Sequence, residues 1–266
     1  MIDKMKTLNI TIIGCGWLGL PLGIALVNKG HRVYGSCKST NKLPKLENVG
    51  IHSFLFDLGT NTRIDPDITS TTNVLIVMLP PVRKDHIHFY GEGLVALCKQ
   101  FPSVQGVIFT SSTGVYPQID GNFDEGYTFK ENERNSSLFQ AETALRNELK
   151  AKLTILRLGG LVGPNRHPIF RLAGKLGLKN PECPVNLVHQ KDVLTIIEQL
   201  IEHQKFGDIF NVVHPDHPSR KSYYTAMALR HKLVPPEFKD TNDIKRLING
   251  QKIEHLLDFQ AENPIE

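Results

Sequence analysis

The chain has 266 residues, enough to bury a sizeable interior as one large domain or as a core with a smaller lobe. Its apolar content of 40% and charged content of 22% are those of an ordinary soluble globular protein. A formal net charge of +4, carried without a Lys/Arg cluster, argues against a surface that tracks nucleic-acid phosphates.

The first element sets up the rest. Ile10-Thr-Ile-Ile13 reads as a buried strand, followed by Gly14, Gly16 and Gly19 at the spacing G-x-G-x-x-G. A helix then runs over 18–29 and Gly30 closes it. In this pattern the first glycine permits a tight turn, the second lets backbone approach a pyrophosphate, and the third lets helix pack on strand. The N–H groups that open the helix, around Trp17 and Leu18, carry partial positive charge and suit a diphosphate. The Trp17 ring either shields a bound cofactor or packs. Lys4 and Lys6 ahead of the apolar run imitate a signal peptide or membrane span. Asn9, Thr11, the glycines and Pro21 inside it fit a soluble strand–turn–helix instead.

Five further β-rich runs follow, over 31–35, 51–57, 73–79, 106–110 and 153–158, separated by helical patterns. This alternation is that of parallel βαβ units, and continuous apolar strands imply a sheet covered on both faces. Right-handed crossovers make such a sheet doubly wound, with ligands beyond the carboxyl ends of its strands. Ser137-Leu-Phe-Gln140 has a capping-box pattern, and Leu138, Ala141, Leu145 and Leu149 give the helix behind it one apolar face. After Gly163 come loop-forming segments over 163–168 and 180–184, around a short basic helix at 169–176. Asp192 is expected to cap a helix through His203, and 208–213 to form another strand. The expected fold is α/β, a doubly wound parallel Rossmann sheet with a small C-terminal substrate lobe. Residues 1–163 form the core, completed by the strand at 208–213, and 164–266 hold most of the lobe.

An NAD site of this kind usually places Asp or Glu about 20 residues past the glycines, on the ribose 2′-OH. Here Gly35-Ser36-Cys37-Lys38-Ser39-Thr40 stands there, offering Ser36 and Ser39 hydroxyls and the Lys38 cation in place of a carboxylate. That set favours a 2′-phosphate, hence NADP(H), with NAD as the alternative. Asp57-Leu58 would bracket the adenine, with Asp57 alternatively a helix-cap or turn residue, and Leu79 and Pro80 would wall the nicotinamide. Cys15, Cys37, Cys98 and Cys183 form no C-x-x-C pair and read as reduced thiols of a cytoplasmic protein. His86 and His88, and His214 and His217, lack established ligand spacing, so no metal is expected. Arg166 and Lys175 are either contacts for a substrate phosphate or carboxylate, or a solvated face.

The Gly turn, Asp57-Leu58, Ser111-Ser-Thr-Gly-Val-Tyr116, Arg157-Leu-Gly-Gly-Leu-Val-Gly-Pro164 and Asn186-Leu-Val-His-Gln-Lys-Asp192 occur in this order. Together with Gly207-Asp-Ile-Phe-Asn-Val-Val213 and Lys245-Arg-Leu-Ile-Asn249, they resemble the atypical, YeeZ-like extended short-chain dehydrogenases/reductases of the NAD-dependent epimerase/dehydratase superfamily. The resemblance implies a Rossmann core, a C-terminal substrate lobe and chemistry on nucleotide-linked sugars or other carbonyl/alcohol substrates. It implies a substrate-orienting hydroxyl at Ser112, and Tyr116 is a candidate stand-in for the family's catalytic phenol. It also implies a Tyr-x-x-x-Lys proton relay, and here the chain departs. Counting back from Glu142-Thr-Ala-Leu145, the Lys position falls on Leu138 and the Tyr position on Arg134. Leucine moves no proton, and arginine is a poor general base. Tyr34 and Lys38 have the relay spacing in the wrong place, and Tyr127 and Lys130 are three apart in an expected loop.

Two functions follow. One is an NADP(H)-binding oxidoreductase or epimerase-like enzyme on a small-molecule substrate. The other is a non-catalytic NAD(P)-binding sensor or regulatory protein. Neither implies a nucleic-acid or membrane partner, and the oligomeric state stays open.

Overall fold

The computed structural model describes residues 6–60, 62–81, 90–239 and 244–266. Its main sheet has seven strands: β1 (Asn9–Ile13), β2 (Arg32–Cys37), β3 (His52–Leu55), β4 (Val74–Val77), β5 (Gly106–Ser112), β7 (Leu153–Leu158) and β10 (Ile209–Val212). Their spatial order is β10-β7-β5-β4-β1-β2-β3. β1 pairs in parallel with both β2 and β4, and β2–β3 and β4–β5 are parallel too. The chain builds outward from β1 to β3, then returns to β4 on β1's other side. This reversal is the topological switch point of a doubly wound sheet.

The strands are apolar on both faces because helices cover both. Ile10, Ile12, Ile13 and Val74–Val77 are essentially inaccessible. Helix α1 (Gly19–Asn28) buries Leu22 and Leu26, and a Cβ on its Gly23 would press on Ile51 and Ile12. Helix α2 (Leu43–Glu47) buries Leu46, and α3 (Pro66–Thr71) starts at Asp65, whose side chain accepts from Asp67 N–H. Helices α4 (Tyr90–Lys99) and α5 (Ser137–Leu149) supply Tyr90, Leu94, Leu97, Ala141 and Leu145 to one core cluster with Leu75, Val77, Val107 and Phe109. Each buried Leu, Val or Phe among them contributes about 1.5–3 kcal/mol of burial free energy.

Local boundaries differ from the sequence reading in instructive ways. The cap of α5 is Ser136, whose hydroxyl accepts from Phe139 N–H, one residue before the Ser137 of the capping-box pattern. Helix α6 (Ile169–Leu172) ends after one turn, because Ala173 turns extended and Gly174 takes φ +68°. Helix α7 (Gln190–Glu202) begins before Asp192, so that carboxylate sits in its first turn instead of capping it. Three-residue strands β6 (Gly121–Phe123), β8 (Gly160–Val162), β9 (Leu187–His189) and β11 (Arg246–Ile248) are too short to leave a periodic signal. They form two parallel pairs, β11–β6 and β8–β9. Helices α8 (Arg220–Arg230) and α9 (Gln251–Leu257) complete the C-terminal part.

The chain divides into two compact units: Met1–Ser111 with Arg134–Leu156 and Ile197–Ile209, and Ser112–Glu133 with Arg157–Ile196 and Phe210–Glu266. The second has its own core around Val162, Ile169, Leu187, Tyr223, Met227 and Ile265.

Candidate cofactor cradle and strand-end site

β1 ends at Ile13, and the turn that follows is held by Ser36 of β2. Gly14 N–H donates to Ser36 Oγ at 3.0 Å, and Cys15 N–H donates to the Ser36 carbonyl at 2.8 Å. Ser36 thus acts from within the sheet, fixing the turn, and is only 1% exposed. Gly14 has φ +104°, a region open to glycine, and a Cβ there would lie 2.8 Å from the Met78 carbonyl oxygen. A Cβ on Gly19 would overlap the Gly14 carbonyl, so α1 packs directly against the turn.

Gly16 is different: a Cβ there would meet nothing within 4 Å. Its lack of a side chain serves no packing need, and keeps open the space before the start of α1. Leu18 caps α1 without a side-chain hydrogen bond, and the first turn carries no acidic residue. The helix N-terminus therefore presents its partial positive charge to that space. A diphosphate fits such a cradle. Trp17 is half-buried beside it, and Leu18 is buried.

At the carboxyl ends of β2 and β3, Lys38 Nζ lies 2.8 Å from Asp57 Oδ1. Both side chains remain accessible, at 59% and 41%. The Lys38 ammonium holds the Asp57 carboxyl below the usual range, with the Gly59 N–H helping. The sequence segment 35–40 holds no carboxylate, yet folding brings one to it from the next strand. Ser39 is exposed, and its carbonyl accepts from the Cys37 thiol at 3.4 Å. Leu58 and Leu79 both pack on the core cluster, and the Leu79 carbonyl accepts from Tyr90 Oη at 2.7 Å. Pro80 is exposed.

β5 carries three hydroxyls at its end. Thr110 Oγ1 donates to the Val77 carbonyl at 3.3 Å, and Ser111 Oγ donates to Glu142 Oε1 at 2.6 Å in a buried pair. Ser112 is half-buried, and its Oγ accepts from Gly114 N–H at 3.1 Å. A hydroxyl that accepts there still has its own proton to donate.

Tyr116 is only 2% exposed. Its oxygen accepts from Arg157 Nη1 at 2.8 Å and lies 2.8 Å from Asn211 Oδ1 and 2.9 Å from the Asp124 carbonyl, sharing its one proton between them. The Arg157 guanidinium lies over the Tyr116 and Phe129 rings, 4.9 and 5.5 Å from their centroids. Burial pushes the phenol up against the opposing pull of the Arg157 charge. Asn211 N–H donates to Glu125 Oε1 at 2.6 Å, and burial raises the Glu125 carboxyl above its ordinary value. Sequence reading had not singled out Arg157 as a partner of Tyr116, nor Asn211 or Glu125. Their separation along the chain hides the network.

Leu138 lies in the first turn of α5, and Arg134 precedes that helix, exposed. Tyr127 Oη donates to the Glu133 carboxylate, and Lys130 N–H donates to the same group at 2.8 Å. His214 Nδ1 accepts from Asp216 N–H at 3.0 Å, and His217 Nδ1 lies 2.8 Å from the Val185 carbonyl. His86 and His88 lie outside the described residues. Arg166 is exposed, and the neighbouring Arg171 charge adds to desolvation in holding it below its ordinary value. Lys175 is exposed as well. Among the described residues, no helix is long and apolar enough to cross a membrane.

The sheet order and the Gly turn define a Rossmann-type α/β protein. Solved structures agree on the fold. A UDP-glucuronic acid 4-epimerase from Bacillus cereus, in complex with NAD, superposes with a TM-score of 0.76 at 17% identity, covering 97% of this chain and 94% of that one. A functionally unknown conserved protein from Silicibacter pomeroyi gives 0.76 at 19% identity, with 97% and 95% covered. A short-chain dehydrogenase/reductase superfamily protein from Agrobacterium tumefaciens with bound NAD gives 0.75 at 15% identity, with 97% and 93% covered. No family model matches the chain. Protein YeeZ of Escherichia coli (strain K12) is 35% identical over 270 residues, with 96% of each chain covered. The chain belongs to the family of protein YeeZ.

Proposed function

We propose that this chain is a cytoplasmic NADP(H)-dependent oxidoreductase or epimerase-like enzyme acting on a carbonyl or alcohol carbon of a small molecule. The observation that carries the reading is the open space at Gly16 before the uncapped, acid-free start of α1. Gly14, Gly16, Trp17, Leu18 and Gly19 would hold the pyrophosphate, Asp57 and Leu58 the adenine, and Leu79 and Pro80 the nicotinamide end. A bound nicotinamide supplies a hydride donor or acceptor. NAD complexes of two fold neighbours support a nicotinamide dinucleotide, and Lys38 with Ser39 favours the 2′-phosphorylated form. In that form a phosphate would compete with Asp57 for the Lys38 ammonium.

Ser112 donates its free proton to the substrate oxygen and fixes it for hydride movement. Tyr116, whose oxygen is committed to Arg157, Asn211 and Asp124, positions the loop behind Ser112 and does not exchange protons. The lobe after residue 163, with Arg166 and Lys175, recognises the substrate. A second reading, a dinucleotide-binding sensor, draws on Leu138 and Arg134 standing at the relay positions and on the buried Tyr116 phenol.

One experiment separates them. NADPH and NADH are titrated against the protein, which is then assayed for turnover with aldehydes, ketones and nucleotide-sugars, alongside Ser112→Ala. Tight NADPH binding, with turnover that falls at least ten-fold in Ser112→Ala at unchanged NADPH affinity, supports the enzyme. Binding without turnover supports the sensor, and no dinucleotide binding rejects both.

A further inference from the structure

Two of the four cysteines, Cys15 and Cys37, lie at the cradle. Cys15 lies inside the Gly turn, and Cys37 is the last residue of β2, where the second strand delivers its side chains to the adenosine end. The Cys15 backbone is tied to β2 by its 2.8 Å N–H bond to the Ser36 carbonyl, the residue beside Cys37. Its sulfur stands 2.7 Å from the place a Cβ on Gly35 would take. Strand side chains alternate, so Gly35 and Cys37 face one side of β2 while Ser36 faces the other, towards Gly14. Both thiols therefore occupy the same face of the same strand end, and each is 7% exposed. Neither is committed to a strong partner. Cys15 Sγ reaches only the Ile12 carbonyl at 3.9 Å, and Cys37 Sγ the Ser39 carbonyl at 3.4 Å.

We propose that Cys15 and Cys37 are a modification site, a dithiol that hydrogen peroxide oxidises to a disulfide, and that this bond closes the cradle to the dinucleotide. The gating half rests on the dinucleotide reading above. Cys37 is the attacking sulfur: its S–O bond forms as the peroxide O–O bond breaks and one water leaves. Cys15 then attacks that sulfur, the S–S bond forms, the S–O bond breaks and a second water departs with the remaining thiol proton. The two sulfurs lose two electrons and the peroxide gains them; a small dithiol reverses the change by exchange. Burial and the neighbouring Cys37 push the Cys15 thiol up to about 12, which keeps it protonated and leaves the first attack to Cys37. Drawing Cys15 towards Cys37 pulls the turn out of the shape in which Gly14 and Cys15 bond Ser36, and it moves Lys38 at the ribose end.

The test treats the full-length protein with hydrogen peroxide in a Cys183→Ser background, which removes the half-buried thiol. A non-reduced tryptic digest is read for a Cys15–Cys37 cross-linked peptide, and NADPH affinity is measured before and after. The expected result is the cross-link, an affinity loss of at least ten-fold, restoration by dithiothreitol, and slower cross-linking of protein preloaded with NADPH. Cys37→Ser should yield no cross-link and no oxidant-dependent change in affinity. Absence of the cross-linked peptide in otherwise intact protein overturns the proposal. So does a cross-link that leaves NADPH affinity unchanged. A reduced protein that binds neither NADPH nor NADH overturns the cofactor reading and, with it, the gating role.

Discussion

Lys38 Nζ and Asp57 Oδ1 stand 2.8 Å apart at the ends of two adjacent parallel strands, so the cation expected to read a ribose phosphate carries its own counter-charge. The pair is exposed on both sides, so its own stabilising effect is small. Its importance lies in the choice it offers: a 2′-phosphate must replace Asp57 as the partner of Lys38, whereas a 2′-hydroxyl need not. Lys38→Glu should lower the affinity ratio of NADPH to NADH by at least ten-fold, about 1.4 kcal/mol. Fluorescence titration of both dinucleotides checks it, and an unchanged ratio would remove Lys38 from the site.

The same pair predicts a pH dependence. Lys38 and the Gly59 N–H hold the Asp57 carboxyl below its unfolded value, so folding favours the ionised form. That contribution is fully present above about pH 4, the unfolded carboxyl range, and is lost as pH falls through the lower folded value. Wild type should therefore lose a small increment of stability in acid that Lys38→Met lacks. Denaturant midpoints of the two proteins between neutral pH and pH 3 measure the difference, which should shrink as the solution is acidified.

The fold was legible because its signals are local and repeated. The apolar run Ile10–Ile13, the glycine spacing and the recurring strand–helix alternation each follow from side-chain patterning within a few residues. What escaped depends on folding. Asp57 reaches Lys38 only because β3 pairs with β2, and Arg157, Tyr116 and Asn211 meet from positions 41 and 95 residues apart. Hydrogen-bond geometry also moved the start of α5, since both Ser136 and Ser137 are chemically able to cap it. Ser36 shows the limit from the other side. Its Oγ accepts from the Gly14 N–H, a bond set by how the turn lies on β2 and invisible in the sequence.

Tyr116 gives a prediction about folding that separates structure from chemistry. Replacing it by phenylalanine keeps the ring under Arg157 and among Phe123, Tyr127 and Phe129 but removes the oxygen. Arg157 Nη1 and Asn211 Oδ1 then lose a buried partner, at a cost of about 1–3 kcal/mol. Thermal denaturation should show this loss for Tyr116→Phe, while NADPH affinity of the folded protein stays as it was. A variant of unchanged stability but abolished turnover would return the phenol to the list of proton donors.

The three glycines of the turn should separate in the same way, because only two of them are needed by the fold. Gly14→Ala would place a Cβ 2.8 Å from the Met78 carbonyl at a φ of +104°, and Gly19→Ala would drive one into the Gly14 carbonyl. Both obstruct backbone, which cannot swing aside, so each should destabilise by at least about 1–3 kcal/mol. Gly16→Ala meets no protein atom within 4 Å. Its methyl group projects into the space before α1, where a pyrophosphate would need to approach within van der Waals distance of the backbone. Gly16→Ala should therefore melt within a degree or two of wild type, by the usual conversion of a few tenths of a kcal/mol, yet bind NADPH at least ten-fold more weakly. Calorimetry and dinucleotide titration on the three variants test the distinction. If Gly16→Ala binds NADPH as wild type does, the open space before α1 is not where the diphosphate lies.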